Sequence, residues 1–236
     1  MNNSYYETLD KNFMQALKLY ETNFSHEELL DMMKNGNIPQ KQIAVLKLDT
    51  ISSIQDAQIL VSNLTGQDGK IREAVSMRLA EFMSDDVLVK YFYNSEIYNK
   101  FLDAVTDING NICRNVLTAI SNLRSNEEFC KFFCNALSGL TSELLDIVEN
   151  FNFQEGKYKI NKEAFKLYWC LEAIYIFYDK MDFDDLRKII LRAKKIDEYT
   201  IREKAAKILS HKFEDPVLKK AREELQNDKN YYVRRF

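Results

Sequence analysis

The pattern on which the fold prediction depends lies in residues 68–82, DGKIREAVSMRLAEF. Its apolar residues Ile71, Val75, Leu79 and Phe82 follow one another at intervals of four, four and three positions. An α-helix turns once every ~3.6 residues, so this spacing places the four side chains on one helix face. The stretch therefore predicts an amphipathic helix that buries this face.

The same frame recurs along the chain, which predicts a repeat. Its starts lie near residues 40, 71, 112, 160, 201 and 233, separated by 31, 41, 48, 41 and 32 residues. Each interval can hold one helix, a turn and a second helix. We predict an all-α, right-handed α-solenoid (superhelix) of about five to six helical hairpins. Since no linker rich in Pro, Gly or Ser divides the sequence, residues 1–236 are expected to form a single repeat domain.

Local signals predict where several helices begin. Ser25 with Glu28 and Ser125 with Glu128 have capping-box spacing, and Asp215 before Pro216 fits an N-cap followed by a proline at the first helical position. We expect separate helices over 126–138 and 141–151. Four glycines stand two to four residues before a repeat start and are expected in tight links: Gly36, Gly69, Gly110 and Gly156.

Composition narrows the class of protein. Only 6 Gly and 2 Pro occur in 236 residues, which favours many helices and short turns. The four cysteines do not suggest a disulfide framework, and no leader or membrane segment is recognisable, so a cytoplasmic protein is expected. The net charge is −3, but residues 187–236 hold 15 basic and 8 acidic residues. That segment carries +7 and residues 1–186 carry −10, an asymmetry that could steer an acidic partner or belong to solvated helix faces.

Several segments resemble HEAT repeats, whose second helix opens with an acidic residue, a short gap, Val-Arg and an Ala-rich face. Besides residues 68–82, they are DINGNICRNVLTAISNL at 107–123, EYTIREKAAKIL at 198–209 and DKNYYVRRF at 228–236. HEAT families often link repeats through a polar ladder of an Asp and the basic residue after the Val. Asp228, Val233 and Arg234 match this arrangement, whereas Arg72 and Arg202 match only the basic position.

The sequence gives little support for a catalytic site or a metal site. His26 and His211 are isolated from each other and from any cysteine pair, so neither a metal nor a cofactor is expected. Cys130 and Cys134 are one helical turn apart and fit buried core positions. Neither a nucleophile motif nor a phosphate-binding loop is present.

Residues 164–178, AFKLYWCLEAIYIFY, form the most unusual segment and leave two interpretations open. The first is a central helix that is buried nearly all round. In the second, the repeat frame turns Ile160, Ala164, Tyr168 and Leu171 inward. Phe165, Trp169 and Glu172 then lie on the concave surface that second helices line in HEAT-like stacks, with Trp169 as an anchor for a partner.

The frame also points a row of basic residues away from the core, namely Lys41, Arg72, Arg114, Lys162 and Arg202. Asp49, Glu73 and Glu203 share that side and dilute its charge, so a solvated, locally paired surface is the alternative and a nucleic-acid groove is disfavoured.

The predicted function is a noncatalytic scaffold or adaptor that binds a protein or peptide along its concave face, without a membrane, metal or nucleic-acid partner. Two enzyme-related alternatives stay open through family resemblance. Some HEAT-like proteins resemble alkylpurine DNA glycosylases, which use concave aromatics with a carboxylate, as Trp169 and Glu172 would. Others resemble accessory subunits of bilin lyases.

Overall fold

The computed structural model describes residues 3–66, 68–150 and 162–236, with side chains from residue 11 onward. Regular structure in these ranges is entirely helical, with two 3₁₀ turns at Val89–Phe92 and Tyr178–Lys180. The α-helices are α1 (Asn3–Tyr20), α2 (His26–Asn35), α3 (Ile38–Lys47), α4 (Ile54–Ser62), α5 (Gly69–Met83), α6 (Ser95–Val105), α7 (Gly110–Ser121), α8 (Glu127–Val148), α9 (Lys162–Phe177), α10 (Phe183–Ala193), α11 (Tyr199–Leu209), α12 (Pro216–Gln226) and α13 (Tyr231–Arg234).

Polar side chains cap the helix starts, largely as the sequence predicts. Ser25 and Glu28 form the expected capping box at α2, and Asp215 caps α12 with Pro216 in its first turn. The prediction for α8 is wrong by one residue, because Asn126 and not Ser125 accepts the hydrogen bond from the Phe129 amide. Asparagine and serine are about equally good N-caps, so spacing alone could not choose between them.

Helix α8 corrects the expectation of two helices over 126–138 and 141–151. It runs unbroken through Gly139, where an added Cβ would meet no heavy atom of a neighbouring element within 4 Å. Glycine in a helix interior costs ~1 kcal/mol relative to alanine. Burial of Leu137, Leu144 and Leu145 on the same helix outweighs that cost, since each buried leucine contributes about 2 kcal/mol.

Of the four glycines expected in tight links, Gly36 lies in one, between α2 and α3, and the others among the described residues do not. Gly36 ends α2 in a tight place, because an added Cβ would lie 2.4 Å from the Met32 carbonyl oxygen. Gly69 and Gly110 are the first residues of α5 and α7 and not parts of links, and Gly156 lies outside the described residues. A positive φ, 141°, occurs instead at Gly66.

The chain forms two compact units, each of which is described by itself. The first comprises Met1–Ala104 and Asn109–Leu123. Within it, α3 packs against α5 and α5 against α7, which makes a row of second helices. Helix α2 packs on α3 and on α4, and α1 lies against α3.

The second unit comprises Val105–Ile108 and Arg124–Phe236 and repeats the plan. Its second helices α9, α11 and α13 pack side by side in that order. Its first helices α8, α10 and α12 form the neighbouring row. The prediction of one domain over residues 1–236 remains a prediction.

The repeat frame faces inward in both units, as the sequence predicts, except at Tyr168 of α9, which is partly exposed. Val75, Leu79, Val116 and Ile120 have no exposed surface, and neither have Ile201, Ala205 and Val233. Position 160 lies outside the described residues. In the α11 frame the fourth position is Lys212, which lies beyond the end of the helix and has a φ of 60°. The apolar stripe thus forms the contact surface between neighbouring helices of each unit.

Candidate partner-binding site

Helices α9 and α11 of the second unit face each other through interleaved tyrosines and cations. We call these seven residues the tyrosine–lysine row: Tyr168, Glu172, Tyr175, Tyr178, Lys204, Lys207 and His211. Spacings of three or four residues keep Tyr168, Glu172 and Tyr175 on one side of α9 and Lys204 and Lys207 on one side of α11. Tyr178 lies in the 3₁₀ turn after α9 and His211 in the turn after α11. The tyrosines, Glu172, Lys207 and His211 are partly exposed, while Lys204 is buried.

Glu172 is the centre of the row, because two lysines share it. Lys204 Nζ donates to Glu172 Oε2 and Lys207 Nζ to Glu172 Oε1, each at 2.6 Å. The same ammonium groups lie over tyrosine rings, Lys204 at 4.1 Å from the Tyr168 centroid and Lys207 at 4.2 Å from the Tyr175 centroid. Ion pairing and cation–π attraction therefore fix both lysines.

Hydrogen bonds between Glu172 and its two lysines keep these side chains charged. Burial alone would raise the pKa of Glu172, but the hydrogen bonds from Lys204 and Lys207 outweigh it, and the pKa lies below its ordinary value. Burial opposes the charge of Lys204 as well, yet its bond to Glu172 holds the lysine pKa above its ordinary value. Near neutral pH, two ammonium groups and one carboxylate leave the cluster with a net charge of about +1.

His211 closes the row between two aromatic rings. Its imidazole stacks on Tyr178 at 3.6 Å between centroids and on Tyr175 at 4.7 Å. Nε2 lies 3.1 Å from the Tyr175 carbonyl oxygen, which can only accept, so Nε2 carries the hydrogen. Burial lowers the pKa of His211 and favours the neutral ring.

The structure favours the buried interpretation of the aromatic segment around Trp169. Trp169 is only 7% exposed and packs edge-on against Phe165 and Tyr168, at 6.2 and 5.3 Å between centroids. The alternative interpretation, in which its side chain lies on an open concave surface, is therefore not supported. Phe165 is partly exposed, and Tyr168 faces Lys204 instead of the core. The buried stripe of α9 runs through Leu167, Leu171 and Ile174.

The outward direction expected for two of the predicted basic residues is also wrong. Arg72 and Arg202 are buried, and each donates through Nη1 to a backbone carbonyl six residues earlier, Gly66 at 2.5 Å and Ile196 at 2.8 Å. Arg234 has the same contact, to the carbonyl of Asp228 at 3.3 Å. We call these three residues the stapling arginines, because each ties a link to the helix that follows it.

Arg202 also carries the inter-repeat ion pair that the HEAT resemblance implies. Its Nε donates to Asp228 Oδ2 at 2.7 Å, and Nη2 lies 3.3 Å from Asp228 Oδ1. Both side chains are nearly buried, and the hydrogen bonds from Arg202 hold the pKa of Asp228 below its ordinary value although burial would raise it. Asp228 is thus a ladder residue, paired with the repeat before it.

Of the three remaining basic candidates, Lys41 is partly exposed and its Nζ donates to Asn63 Oδ1 at 3.1 Å, whereas Arg114 and Lys162 are exposed. Arg114 lies on α7 in the first unit, where its Nη1 is 3.3 Å from Asn111 Oδ1. Lys162 begins α9 in the second unit. Of the predicted site residues, Phe165, Trp169 and Glu172 lie in or beside the tyrosine–lysine row, and their binding role remains a proposal.

The lysines and most of the tyrosines of this row were not predicted from the sequence. The signal is present, since Tyr168, Glu172 and Tyr175 follow a helical spacing, as do Lys204, Lys207 and His211. A contact between the two sets, however, depends on the register of α9 against α11, which a single sequence does not reveal.

The other reactive side chains do not assemble into a site within the ranges that the structure describes. There, no three His, Cys, Asp or Glu side chains come together as metal ligands. All four cysteines are buried, and burial raises the pKa of Cys134 and of Cys170 to about 12. None of the described helices combines the length and apolar character of a membrane span.

Solved structures with a similar fold include two engineered proteins. A designed armadillo repeat protein matches 89% of this chain and 95% of its own with a TM-score of 0.51 and 15% identity. An engineered protein from the Northeast Structural Genomics Consortium matches 89% of this chain and 94% of its own with a TM-score of 0.50 and 18% identity. No family model and no curated protein sequence matches the chain.

These likenesses concern the fold. Together with the all-helical rows and the inward repeat frame, they confirm the predicted class: the chain is a helical repeat protein of the armadillo/HEAT-like, α-solenoid type.

Proposed function

We propose that this chain is a noncatalytic scaffold that holds a peptide or protein partner against the tyrosine–lysine row. One observation carries the proposal: partly exposed tyrosines alternate with two fixed ammonium groups that share a single carboxylate. The excess positive charge and the aromatic surfaces offer a partner both charge and apolar contact. Tyrosine provides much contact area at a small entropic cost, which is why it is common in binding surfaces.

The arrangement also supports a preorganised surface. Lys207 is held by Glu172 and Tyr175, so a partner need not immobilise a free lysine side chain. A carboxylate of the partner would approach Lys207, which is the more exposed of the two lysines. The tyrosine rings on either side of Lys207 would then pack against apolar side chains of the partner that neighbour this carboxylate.

The same geometry disfavours the glycosylase alternative. A carboxylate that activates water needs a free oxygen and a suitably raised pKa. Both oxygens of Glu172 accept from lysines, and its pKa is lowered below the ordinary value although burial acts against this. Glu172 is therefore suited to organising cations and poorly suited to acting as a base.

Selection from a random-peptide display library tests the proposal. Peptides selected on the wild-type protein are titrated by fluorescence anisotropy against Lys207→Gln, which keeps a polar side chain of similar size and removes the charge. We expect Lys207→Gln to weaken binding by about tenfold, equivalent to ~1.4 kcal/mol. Lys188→Gln is the matched control, since Lys188 lies on α10, a first helix, and its side chain is 73% exposed.

Circular dichroism melting of both variants separates lost binding from lost folding. The proposal is wrong if the library yields no binding peptide, or if the selected peptides bind Lys207→Gln and Lys188→Gln equally well.

A further inference from the structure

A second group of aromatic side chains lies where α11 and α13 begin, and it is more exposed than the tyrosine–lysine row. Tyr231 is 63% exposed and Tyr232 is 52% exposed. The Tyr232 ring lies 5.8 Å from that of Tyr231 and 6.2 Å from that of Tyr199. Exposed aromatic side chains that lie together in this way can mark an interaction surface.

Two arginines accompany the rings. The guanidinium of Arg234 lies over Tyr231 at 5.8 Å and that of Arg235 over Tyr232 at 5.4 Å. We call these residues the Tyr–Arg patch: Tyr199, Tyr231, Tyr232, Arg234 and Arg235. Tyrosine and arginine are, with tryptophan, the residue types most enriched among the energetically dominant contacts of interfaces.

The charge of the patch is positive. Residues 229–236, KNYYVRRF, contain one lysine and two arginines and no acidic residue. Arg235 pairs with Glu203 at 2.6 Å, whereas Arg234 donates to the backbone carbonyls of Asp228 and Lys229, which do not compensate its charge. The side-chain carboxylate of Asp228 is already engaged by Arg202.

We propose that the Tyr–Arg patch is a docking surface for an acidic segment of a partner protein, with apolar side chains that pack on the tyrosines between its carboxylates. It shares no residue with the tyrosine–lysine row and does not depend on the function proposed there. Guanidinium groups on aromatic rings keep their outer N–H donors available for carboxylates. The +7 carried by residues 187–236 favours the encounter with an acidic segment.

Charge also argues against other occupants. A second copy in a two-fold contact would bring the same positively charged patch against itself. A nucleic acid needs cations at many successive phosphates, and the whole chain carries −3. A short acidic segment needs only the local positive charge, because charges beyond about 8 Å are largely screened at physiological ionic strength.

The test uses a fluorescein-labelled peptide that alternates glutamate with leucine and tyrosine, titrated into the full chain by anisotropy. We expect the double variant Tyr231→Ala/Tyr232→Ala to weaken binding by about tenfold or more, and Arg235→Gln by about threefold. Tyr20→Ala is the matched control, since Tyr20 is 61% exposed and has Lys47 over its ring at 5.3 Å. Lys207→Gln is expected to bind this peptide as the wild type does, which distinguishes the two proposals.

Four outcomes would overturn the inference. They are equal binding of the same peptide with glutamine in place of glutamate, unchanged binding by the tyrosine double variant, tighter binding of an oligothymidylate than of the peptide, and a dimer in light scattering that Tyr232→Ala dissociates. Because Tyr20, Tyr231, Tyr232 and Arg235 are exposed and Lys207 is partly exposed, the variants are expected to fold, and circular dichroism checks this directly.

Discussion

Trp169 stabilises the fold through its ring surface and not through its polar atom. Its indole nitrogen Nε1 is buried and has no hydrogen-bond partner among the described residues, while the ring packs on Phe165 and Tyr168. A buried donor without a partner opposes folding, since it loses its hydrogen bonds to water.

This arrangement predicts how two substitutions differ. Trp169→Ala removes the ring and is expected to lower the free energy of unfolding by about 3–5 kcal/mol. Trp169→Phe keeps most of the apolar surface and removes the unpaired donor, so we expect a loss of only about 1–2 kcal/mol. Urea unfolding followed by circular dichroism measures both, and equal losses for the two variants would contradict the interpretation.

At the scale of elements, the contact between α9 and α11 is expected to depend on pH through His211. Its pKa is lowered in the folded chain by burial, so the neutral ring is the form that the fold prefers. The stabilisation is complete above the ordinary histidine pKa of ~6.5 and is lost as the pH falls through the lower folded value. The charged and titratable groups around it are Arg124, Lys207 and Asp179.

We therefore expect the wild-type melting temperature to fall between about pH 7 and pH 5, and His211→Phe to reduce that fall. Phenylalanine keeps the ring stacked on Tyr178 but cannot take up a proton. Glu172 and Asp228 have lowered pKa values, so their contributions are lost only further into acid. An identical fall in the wild type and in His211→Phe would rule out His211 as its source.

Periodicity predicted the helices well where the apolar residues of a helix lie on one face, which is then the face that is buried. The frame through Val75, Val116 and Ile201 is buried as expected, because an apolar stripe at helical spacing has one energetically favourable orientation. Helix α8 was harder to predict. Its glycine suggests a helix break when the sequence is considered alone, and only tertiary packing keeps the segment helical.

The candidate site was predictable only in part. Glu172 was identified, but Lys204 was not, because a pair formed across 32 positions of sequence leaves no local trace. Arg72 and Arg202 were misplaced for a related reason. An arginine can reach back to a backbone carbonyl and bury its head group there, which hydrophobic spacing does not reveal.

At the scale of the whole molecule, the reactivity of the four cysteines can show whether the chain unfolds in a single transition. Cys113 lies in the first unit and Cys130, Cys134 and Cys170 lie in the second, and all are buried. Burial raises the pKa of the thiols of Cys134 and Cys170 to about 12, which removes the reactive thiolate at neutral pH.

We expect an aromatic disulfide reagent to modify the native protein at least ~100-fold more slowly than the denatured chain. Mass spectrometry along a urea series locates each modification. The prediction of a single domain over residues 1–236 requires Cys113 and Cys134 to lose protection at the same urea concentration. Loss of protection at Cys113 and at Cys134 in separate transitions would show that the units unfold as two domains.

The stapling arginines set a limit on how the chain can change in length. Each closes a ring from its guanidinium to a carbonyl six residues earlier, so an extra residue inside that span would carry the acceptor out of reach. The connection from α11 to α12 has exposed positions at Lys212 and Glu214, and none of the three stapling arginines spans it. Insertions, whether acquired in evolution or introduced as a tag, should be tolerated there and rejected just before α5, α11 and α13.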